Sequence, residues 1–208
     1  MLDERGVGAV AVGFALKLAD RKLASVSQPD LVWSGPEVPG LHARDTRRVY
    51  EELVSGAQRS LWISAYTYYD GPKTFGSLAQ RMDETVSLQV TLMLNIQRRP
   101  SEATSSNELV RRFADRFWKK AWPGTRRPAV FYDPRALAPE GPEGVLHAKA
   151  VVADDEHAFV TSANLTEAAF ERNIEAGVVI RDAGLAASLA KHFRVLIDRE
   201  LLLPLPTS

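Results

Sequence analysis

The sequence predicts an α/β domain in which helices cover a β-sheet. Short runs rich in β-branched and aromatic residues alternate along the chain with stretches whose apolar residues recur at the helical period. Such alternation is typical of layered domains in which the connecting helices pack on the sheet. The 208 residues, 45% hydrophobic and 25% charged, have the length and composition of one soluble globular domain.

The first half of the chain contains three predicted strands and two predicted helices. A strand ending in a Gly-Pro turn is predicted over 31–36. A helix follows over 46–58, where the apolar residues fall on one face. Aromatic and β-branched residues then predict a strand over 60–69, and the apolar pattern predicts a short helix over 75–82 and a mostly buried strand over 86–96.

The second half begins with an amphipathic helix over 108–122 and a strand over 128–132. Flexible loops are predicted at 101–106 and 138–142 from their small and turn-forming residues. Two further strands, 145–153 and 157–165, are expected to form a hairpin, because Asp154-Asp155-Glu156 between them favours a turn. The remaining elements are a strand over 175–181 and a last helix over 185–197.

An apolar stretch over 6–16 precedes these elements. It is too short to span a bilayer, and Asp3 and Glu4 balance Arg5, so it does not have the pattern of a secretory signal. Its glycines do not follow G-x-G-x-x-G, which excludes a dinucleotide loop. We expect a small helix here that packs on the domain. The predicted organisation is an N-terminal helical extension over 1–30, one domain over 31–198 and a C-terminal tail over 199–208.

The chain has no cysteine, which excludes a disulfide framework and is typical of a protein in a reducing cytoplasm. Of its four histidines, His42, His157 and His192 are scattered without the spacing of metal ligands. We therefore expect no metal and no cofactor.

The net charge is zero, but basic residues are concentrated between Arg98 and Arg127. This stretch has nine basic and three acidic residues, a local net charge of +6. Part of it is the predicted helix over 108–122, whose basic face is a candidate nucleic-acid contact. The alternative is an ordinary solvated helix face. The candidate residues are Arg111, Arg112, Arg116, Lys119 and Lys120.

The most informative motif is H-x-K-x4-D-x6-T-S-x-N, which begins at His147 and occurs once. Because side chains in a strand alternate, His147 and Lys149 share a face, about 7 Å apart at their bases, with room for one phosphate between them. Ser162 and Asn164 share a face of the second hairpin strand, so pairing would bring all four side chains to one surface. Each fragment alone is more typical of a half-exposed strand or of turn chemistry. All of them in this order, followed by Glu175, favour catalysis on a phosphodiester.

The segment from His147 to Glu175 resembles the HKD motif of the phospholipase D superfamily. The resemblance implies an α/β, phospholipase-D-like domain with a mixed β-sheet flanked by helices and a single HKD repeat. It also implies that His147 is the nucleophile, that Lys149, Ser162 and Asn164 hold phosphate oxygens, and that Glu175 orients His147. Asp154 would be a structural residue that supports the turn.

Among single-motif members, the chain resembles the small Nuc-type endonucleases and the phospholipase-D-like protein DrmC of the bacterial DISARM anti-phage system. The resemblance implies a metal-independent nuclease, with DNA as the expected nucleic acid and other defence-system proteins as further partners. Since the chemistry needs two histidines, we expect a homodimer with the active site at its two-fold axis. The alternatives are a phospholipid-headgroup hydrolase or transferase and a non-catalytic nucleic-acid-binding subunit.

Overall fold

One nine-stranded sheet organises the part of the chain that the computed structural model describes, residues 13, 17, 28–99 and 101–207. The strands are β1 (Asp30–Ser34), β2 (Arg44–Asp45), β3 (Ser60–Ala65), β4 (Gln89–Leu94), β5 (Ala129–Tyr132), β6 (Ala150–Ala153), β7 (His157–Thr161), β8 (Glu175–Ile180) and β9 (Leu203–Pro204). Their order in the sheet is β2-β1-β8-β7-β6-β3-β4-β5-β9. Strands β3, β4 and β5 are parallel, as are β1 and β2, whereas the remaining neighbours are antiparallel. The sheet is therefore mixed, as expected.

Helices cover both faces of this sheet, which confirms the predicted fold class. They are α1 (Thr46–Gly56), α2 (Gly71–Glu84), α3 (Ser106–Arg116), α4 (Glu167–Glu171) and α5 (Ala183–Asp198). A π-helical turn, Phe117–Ala121, continues α3, and a 3-10 turn, Pro134–Leu137, follows β5. The larger apolar core lies on the face covered by α1 to α3, whereas α5 packs on the opposite face.

Several predicted elements differ from the observed ones at their ends. The strand predicted over 60–69 ends at Ala65, and the hairpin strands predicted over 145–153 and 157–165 shrink to β6 and β7. The predicted hairpin turn is confirmed, with Asp154 and Asp155 both in the left-handed region at φ 56° and 58°, which Asp tolerates better than most residues. The predicted C-terminal tail contributes β9, which pairs with β5, so the sheet extends beyond residue 198.

The predicted N-terminal helix lies outside the described residues, apart from Gly13 and Lys17. Within the described part of the chain, no helix is both long enough and apolar enough to cross a bilayer.

The strand directions bring six strand ends to one edge of the sheet. The parallel strands β3, β4 and β5 all end there. Because β6 is antiparallel to β3, and β7 and β8 continue that alternation, β6 starts, β7 ends and β8 starts at the same edge. We call it the site edge, because every residue of the predicted motif except Asp154 lies at or near it.

Candidate active site

His147 and Lys149 lie in the extended segment directly before β6, not within the strand as predicted. His147 is exposed, whereas Lys149 is only 9% exposed. The Lys149 Nζ atom lies 3.3 Å from both ring nitrogens of His147 and donates a hydrogen bond to the His147 carbonyl oxygen at 3.0 Å. The structure thus brings together the two residues that the strand period places on one side.

The expected gap for a phosphate between these side chains is closed. An ammonium at 3.3 Å from an imidazole leaves no room for a third group between them. The flexible side chain of Lys149 must therefore swing away from His147 before both can contact one phosphate. The four-carbon stem of lysine permits this movement at little cost.

Tyr66, which follows β3, lies beside His147 and was missed by the sequence analysis. The rings of Tyr66 and His147 lie 4.6 Å apart between centroids, and Lys149 Nζ lies 5.4 Å from the centre of the Tyr66 ring. The Tyr66 hydroxyl accepts a hydrogen bond from Gln97 at 2.5 Å. Tyr66 therefore forms one wall beside the imidazole. The aromatic run over 60–69 was the available signal, but it predicted a longer strand.

Ser162 and Asn164 follow the end of β7 and do not continue the strand as predicted. The Ser162 hydroxyl donates a hydrogen bond to Glu175, and the backbone N–H of Ala176 donates to the same hydroxyl at 3.2 Å. The Asn164 Oδ1 atom is buried and has no hydrogen-bond partner within the described residues. Both residues lie at the site edge, but neither makes a hydrogen bond to His147 or Lys149 there.

Glu175, the first residue of β8, does not contact His147 in the expected way. Its carboxylate instead accepts hydrogen bonds from Ser162 and, at 3.2 Å, from the Asn173 amide. The expected bond between Glu175 and an imidazole nitrogen is absent from the described residues. Glu175 acts on the site electrostatically: burial lowers the pKa of Lys149 below its usual value, and the nearby charge of Glu175 partly opposes that shift.

Asp154 lies at the opposite edge of the sheet from His147, in the hairpin turn. Its carboxylate accepts hydrogen bonds from the backbone N–H groups of Gln58, Arg59 and Ser60 at 2.9, 2.7 and 2.9 Å. Burial alone would raise the pKa of Asp154, but these three bonds outweigh it, so the pKa lies below its usual value. These contacts join the hairpin to the start of β3.

Asn95, directly after β4, is a second residue that the sequence analysis missed. It is 7% exposed, and both its amide atoms lack a hydrogen-bond partner within the described residues. Its neighbours at alternate positions are Met93, which packs with Leu146, and Gln97, which bonds to Tyr66. An amide left unpaired in this way normally costs stability, and Asn95 lies where β4 ends, at the site edge.

The basic residues of the predicted helix lie along the site edge but are partly neutralised. The helical segment begins beside Leu137, where Ser106 donates to the Leu137 carbonyl at 2.7 Å, and ends against Gly71 near the end of β3. Within it, Arg111 and Arg112 both pair with Glu108, Lys119 pairs with Asp115 at 2.9 Å, and Arg116 stacks on Phe113. Lys120 is exposed on the same segment. Each of these pairs joins two residues of the same helical segment. Such pairs are equally typical of an ordinary solvated helix face.

Groups of three or more His, Asp or Glu side chains with the geometry of a metal site do not occur among the described residues. At the site edge, a phosphate would meet the positive charge of Lys149 and, farther along the edge, that of arginine side chains.

One known protein family matches the part of the chain that holds this exposed imidazole, buried ammonium and Ser–Glu pair. The family described as "Cardiolipin synthase, PLD-like domain" matches residues 50–197, which is more than half of the chain. The chain belongs to this family. Its match includes every residue of the predicted motif and the sheet from β3 to β8.

Solved structures of PLD-like proteins share this fold. Nuc, a phospholipase D family member from Salmonella typhimurium, has a TM-score of 0.54 at 18% identity, with 85% of this chain and 97% of that one covered. NucT from Helicobacter pylori has a TM-score of 0.52 at 16% identity, over 73% and 87%. Phosphatidylserine synthase from Haemophilus influenzae has a TM-score of 0.56 at 20% identity, over 84% of this chain but 39% of that one. No curated protein matches the chain.

Proposed function

We propose that this protein is a phosphodiesterase that cleaves nucleic acid through a phosphohistidine intermediate on His147. The observation that supports this most directly is the contact between His147 and Lys149 at an open sheet edge. An exposed imidazole supplies a nucleophile, and a neighbouring ammonium supplies the positive charge that a phosphate requires. The resemblance of the motif to that of Nuc-type endonucleases supports the choice of a nuclease, and the likeness in fold to Nuc and NucT is consistent with it.

In the first step, a ring nitrogen of His147 forms a bond to phosphorus while the bond from phosphorus to the leaving oxygen breaks. A second imidazolium, on the far side of the phosphorus, gives its proton to the leaving oxygen. Lys149 leaves its position against His147 and donates to the equatorial oxygens, joined by Ser162 and Asn164. The donor that fits this role is the Nδ2 amide group of Asn164, which makes no hydrogen bond within the described residues.

In the second step, water attacks phosphorus and the second imidazole takes the proton from that water. The bond between His147 and phosphorus breaks, which restores both histidines to their starting states. Lys149 provides the positive charge throughout, so we propose that turnover requires no divalent cation. Glu175 then acts as a positioning residue, which holds Ser162 and keeps the charge of Lys149 in place.

The second imidazole is the His147 of another copy of the chain, placed across a two-fold axis. An apolar strip supports this homodimer. Leu31, Val178 and Val160 are direct neighbours across β1, β8 and β7, on the face that α5 packs against, and they remain 51%, 36% and 42% exposed. The strip lies two residues from Ser162, so a copy that covers it would also approach the site.

A lipid substrate is the second candidate. The description of the matching family and the likeness in fold to phosphatidylserine synthase support it. The same histidine chemistry would then hydrolyse or exchange a phospholipid headgroup. Membership of the DISARM system, other defence-protein partners and a cytoplasmic location stay predictions.

A substrate panel tests the proposal. Purified protein is incubated with single- and double-stranded DNA, RNA and phosphatidylglycerol vesicles, each with and without EDTA, and His147→Ala is the control for a contaminating enzyme. The proposal expects cleavage of polynucleotide that resists EDTA and disappears in the variant. Turnover of the vesicles alone would support the lipid candidate, and activity only with added divalent cation would overturn the proposed chemistry.

A further inference from the structure

Arg135 lies at the site edge, in the 3-10 turn that follows β5. Its backbone N–H and its side chain both bond to the carboxylate of Asp133, with the Nε atom at 3.0 Å and the Nη2 atom at 2.7 Å from its oxygens. Asp133 is 2% exposed, whereas the Arg135 side chain is 59% exposed. A buried carboxylate therefore holds an open guanidinium in one orientation.

The guanidinium also lies beside the segment that leads to His147. A Cβ atom built on Gly144 would lie 3.5 Å from the Arg135 Cζ atom, and the Arg135 carbonyl accepts a hydrogen bond from Glu143 at 3.1 Å. His147 is the third residue after Gly144, and three strand spacings separate β5 from β6. The length of chain from Gly144 to His147 and the spacing of the strands both give a distance of roughly 14 Å or less between Arg135 and the nucleophile.

The ion pair with Asp133 uses only some of the hydrogen-bond donors of Arg135. The Asp133 carboxylate needs a cation because it is buried, and the Nε and Nη2 atoms meet that need. The Nη1 atom makes no hydrogen bond within the described residues, so two N–H donors of an exposed guanidinium are left without a partner there. Planar guanidinium groups fixed in this way are well suited to phosphate oxygens.

We propose that Arg135 binds a phosphate of the polynucleotide next to the one that is cleaved, so that the substrate runs along the site edge from β6 past β3 and β4 to β5. Tyr66 and Gln97 lie along the same path. The inference rests on the proposed nuclease function, and it gives that site a direction of substrate binding. Glu143 lies nearby, and its negative charge offsets that of the Arg135 guanidinium. Phosphate binding would therefore depend on hydrogen bonds from the fixed N–H groups more than on the local net charge.

Binding of a fluorescent oligonucleotide, measured by polarisation over a range of salt in the His147→Ala background, tests the inference without turnover. Arg135→Gln should weaken binding about tenfold and reduce the salt slope by about one. Arg181→Gln is the matched control, because Arg181 is another exposed arginine, paired with Asp30 at the opposite edge, and its loss should change neither quantity. Arg135→Gln leaves the buried Asp133 carboxylate without its cation. If this single variant folds poorly, the double variant Asp133→Asn/Arg135→Gln removes that charge and takes its place.

Equal effects of Arg135→Gln and Arg181→Gln, or an oligonucleotide that does not bind, would overturn the inference. Turnover separates it from the proposed function. With active protein, Arg135→Gln should reduce cleavage of an oligonucleotide more than cleavage of bis(4-nitrophenyl) phosphate, which has no neighbouring phosphate. Arg135-dependent binding without any turnover would contradict the proposed function but support the substrate path.

Discussion

The Nζ atom of Lys149 lies 3.3 Å from both ring nitrogens of His147 and donates to the carbonyl oxygen of that histidine. The ammonium is equally far from the two nitrogens, so it lies against the imidazole ring and does not select one nitrogen as its acceptor. A neutral imidazole has one unprotonated nitrogen, and that nitrogen is the atom that can attack phosphorus. The contact thus places the proposed phosphate-binding group directly against the proposed nucleophile.

The charge of Lys149 predicts the alkaline side of the pH–rate profile. Burial lowers the pKa of Lys149, and Glu175 raises it, so the neutral variant Glu175→Gln should lower that pKa further. Activity requires the charged ammonium and is lost as pH rises through its pKa. The alkaline limb of kcat/KM should therefore move to lower pH in Glu175→Gln, measured over pH 7 to about 11.

Glu171→Gln is the control for this profile. Glu171 is an exposed carboxylate that pairs with Arg47. Its removal should leave the limb in place. A limb that stays fixed in Glu175→Gln, or that moves equally in both variants, would show that Glu175 does not support the charge of Lys149.

Asp154→Asn should destabilise the fold without changing the chemistry of the site. Asparagine tolerates the left-handed backbone at this position, but it cannot accept three N–H bonds as well as a carboxylate does. We expect a loss of about 2 kcal/mol in the free energy of unfolding at pH 7, measured by urea denaturation.

The same variant gives a pH test. Because the pKa of Asp154 is lowered in the folded state, its contribution is complete above its unfolded pKa of about 3.9 and is lost as pH falls through the folded value. The stability difference between wild type and Asp154→Asn should shrink in acid. A difference that is constant down to pH 2 would contradict this role of the carboxylate.

Asn95→Leu should raise stability and lower activity. Leucine has a similar shape and removes two buried polar atoms that lack partners, so the free energy of unfolding should rise by about 1 kcal/mol or more. Activity should fall if the amide serves the site. Tyr50→Phe is the matched control, because it removes a buried, unpaired hydroxyl within the helix–sheet core and should leave kcat unchanged. Full activity in Asn95→Leu would show that the Asn95 amide does not serve the site.

The layers of the fold and the placement of His147 and Lys149 on one side of the chain could be predicted, because both depend on local periodicity. The direct contact between the two side chains could not. It overestimated the strands around the motif, since the ends of strands depend on their partners. The pairing of β3 with β6 ends at Ser64 and Ala150, and the Ser64 side chain donates to the Ala148 carbonyl at 2.9 Å, so the segment before β6 has no backbone ladder on the side of β3.

The contributions of Tyr66 and Asn95 could not be predicted, because they depend on which distant strands are neighbours. Parallel pairing of β3 with β4 and antiparallel pairing of β3 with β6 bring three separate segments to one edge. The sequence also gave no means of deciding whether Glu175 meets His147 or Ser162. That choice depends on side-chain rotamers within a few ångströms, and the structure favours Ser162.

The proposed homodimer predicts an effect of charge on the apolar strip. Val178→Asp should yield a monomer with little activity, because a carboxylate in the middle of the strip would be buried at the interface. Val86→Asp is the control, since Val86 is 78% exposed between α2 and β4 at the opposite edge. Sedimentation and activity of both variants test the prediction. An active Val178→Asp monomer would contradict the shared site.

Attack of His147 on phosphorus would leave a covalent adduct on the imidazole, which a rapid quench can trap. Wild-type protein is mixed with a cleavable oligonucleotide, quenched within milliseconds in alkali, in which phosphohistidine survives, and mapped by peptide mass spectrometry. We predict that the peptide containing His147 carries a phosphate that still bears one fragment of the cleaved oligonucleotide. The adduct should be absent from His147→Ala, which should also lose turnover. An adduct on another residue, or wild-type turnover in His147→Ala, would show that His147 is not the nucleophile.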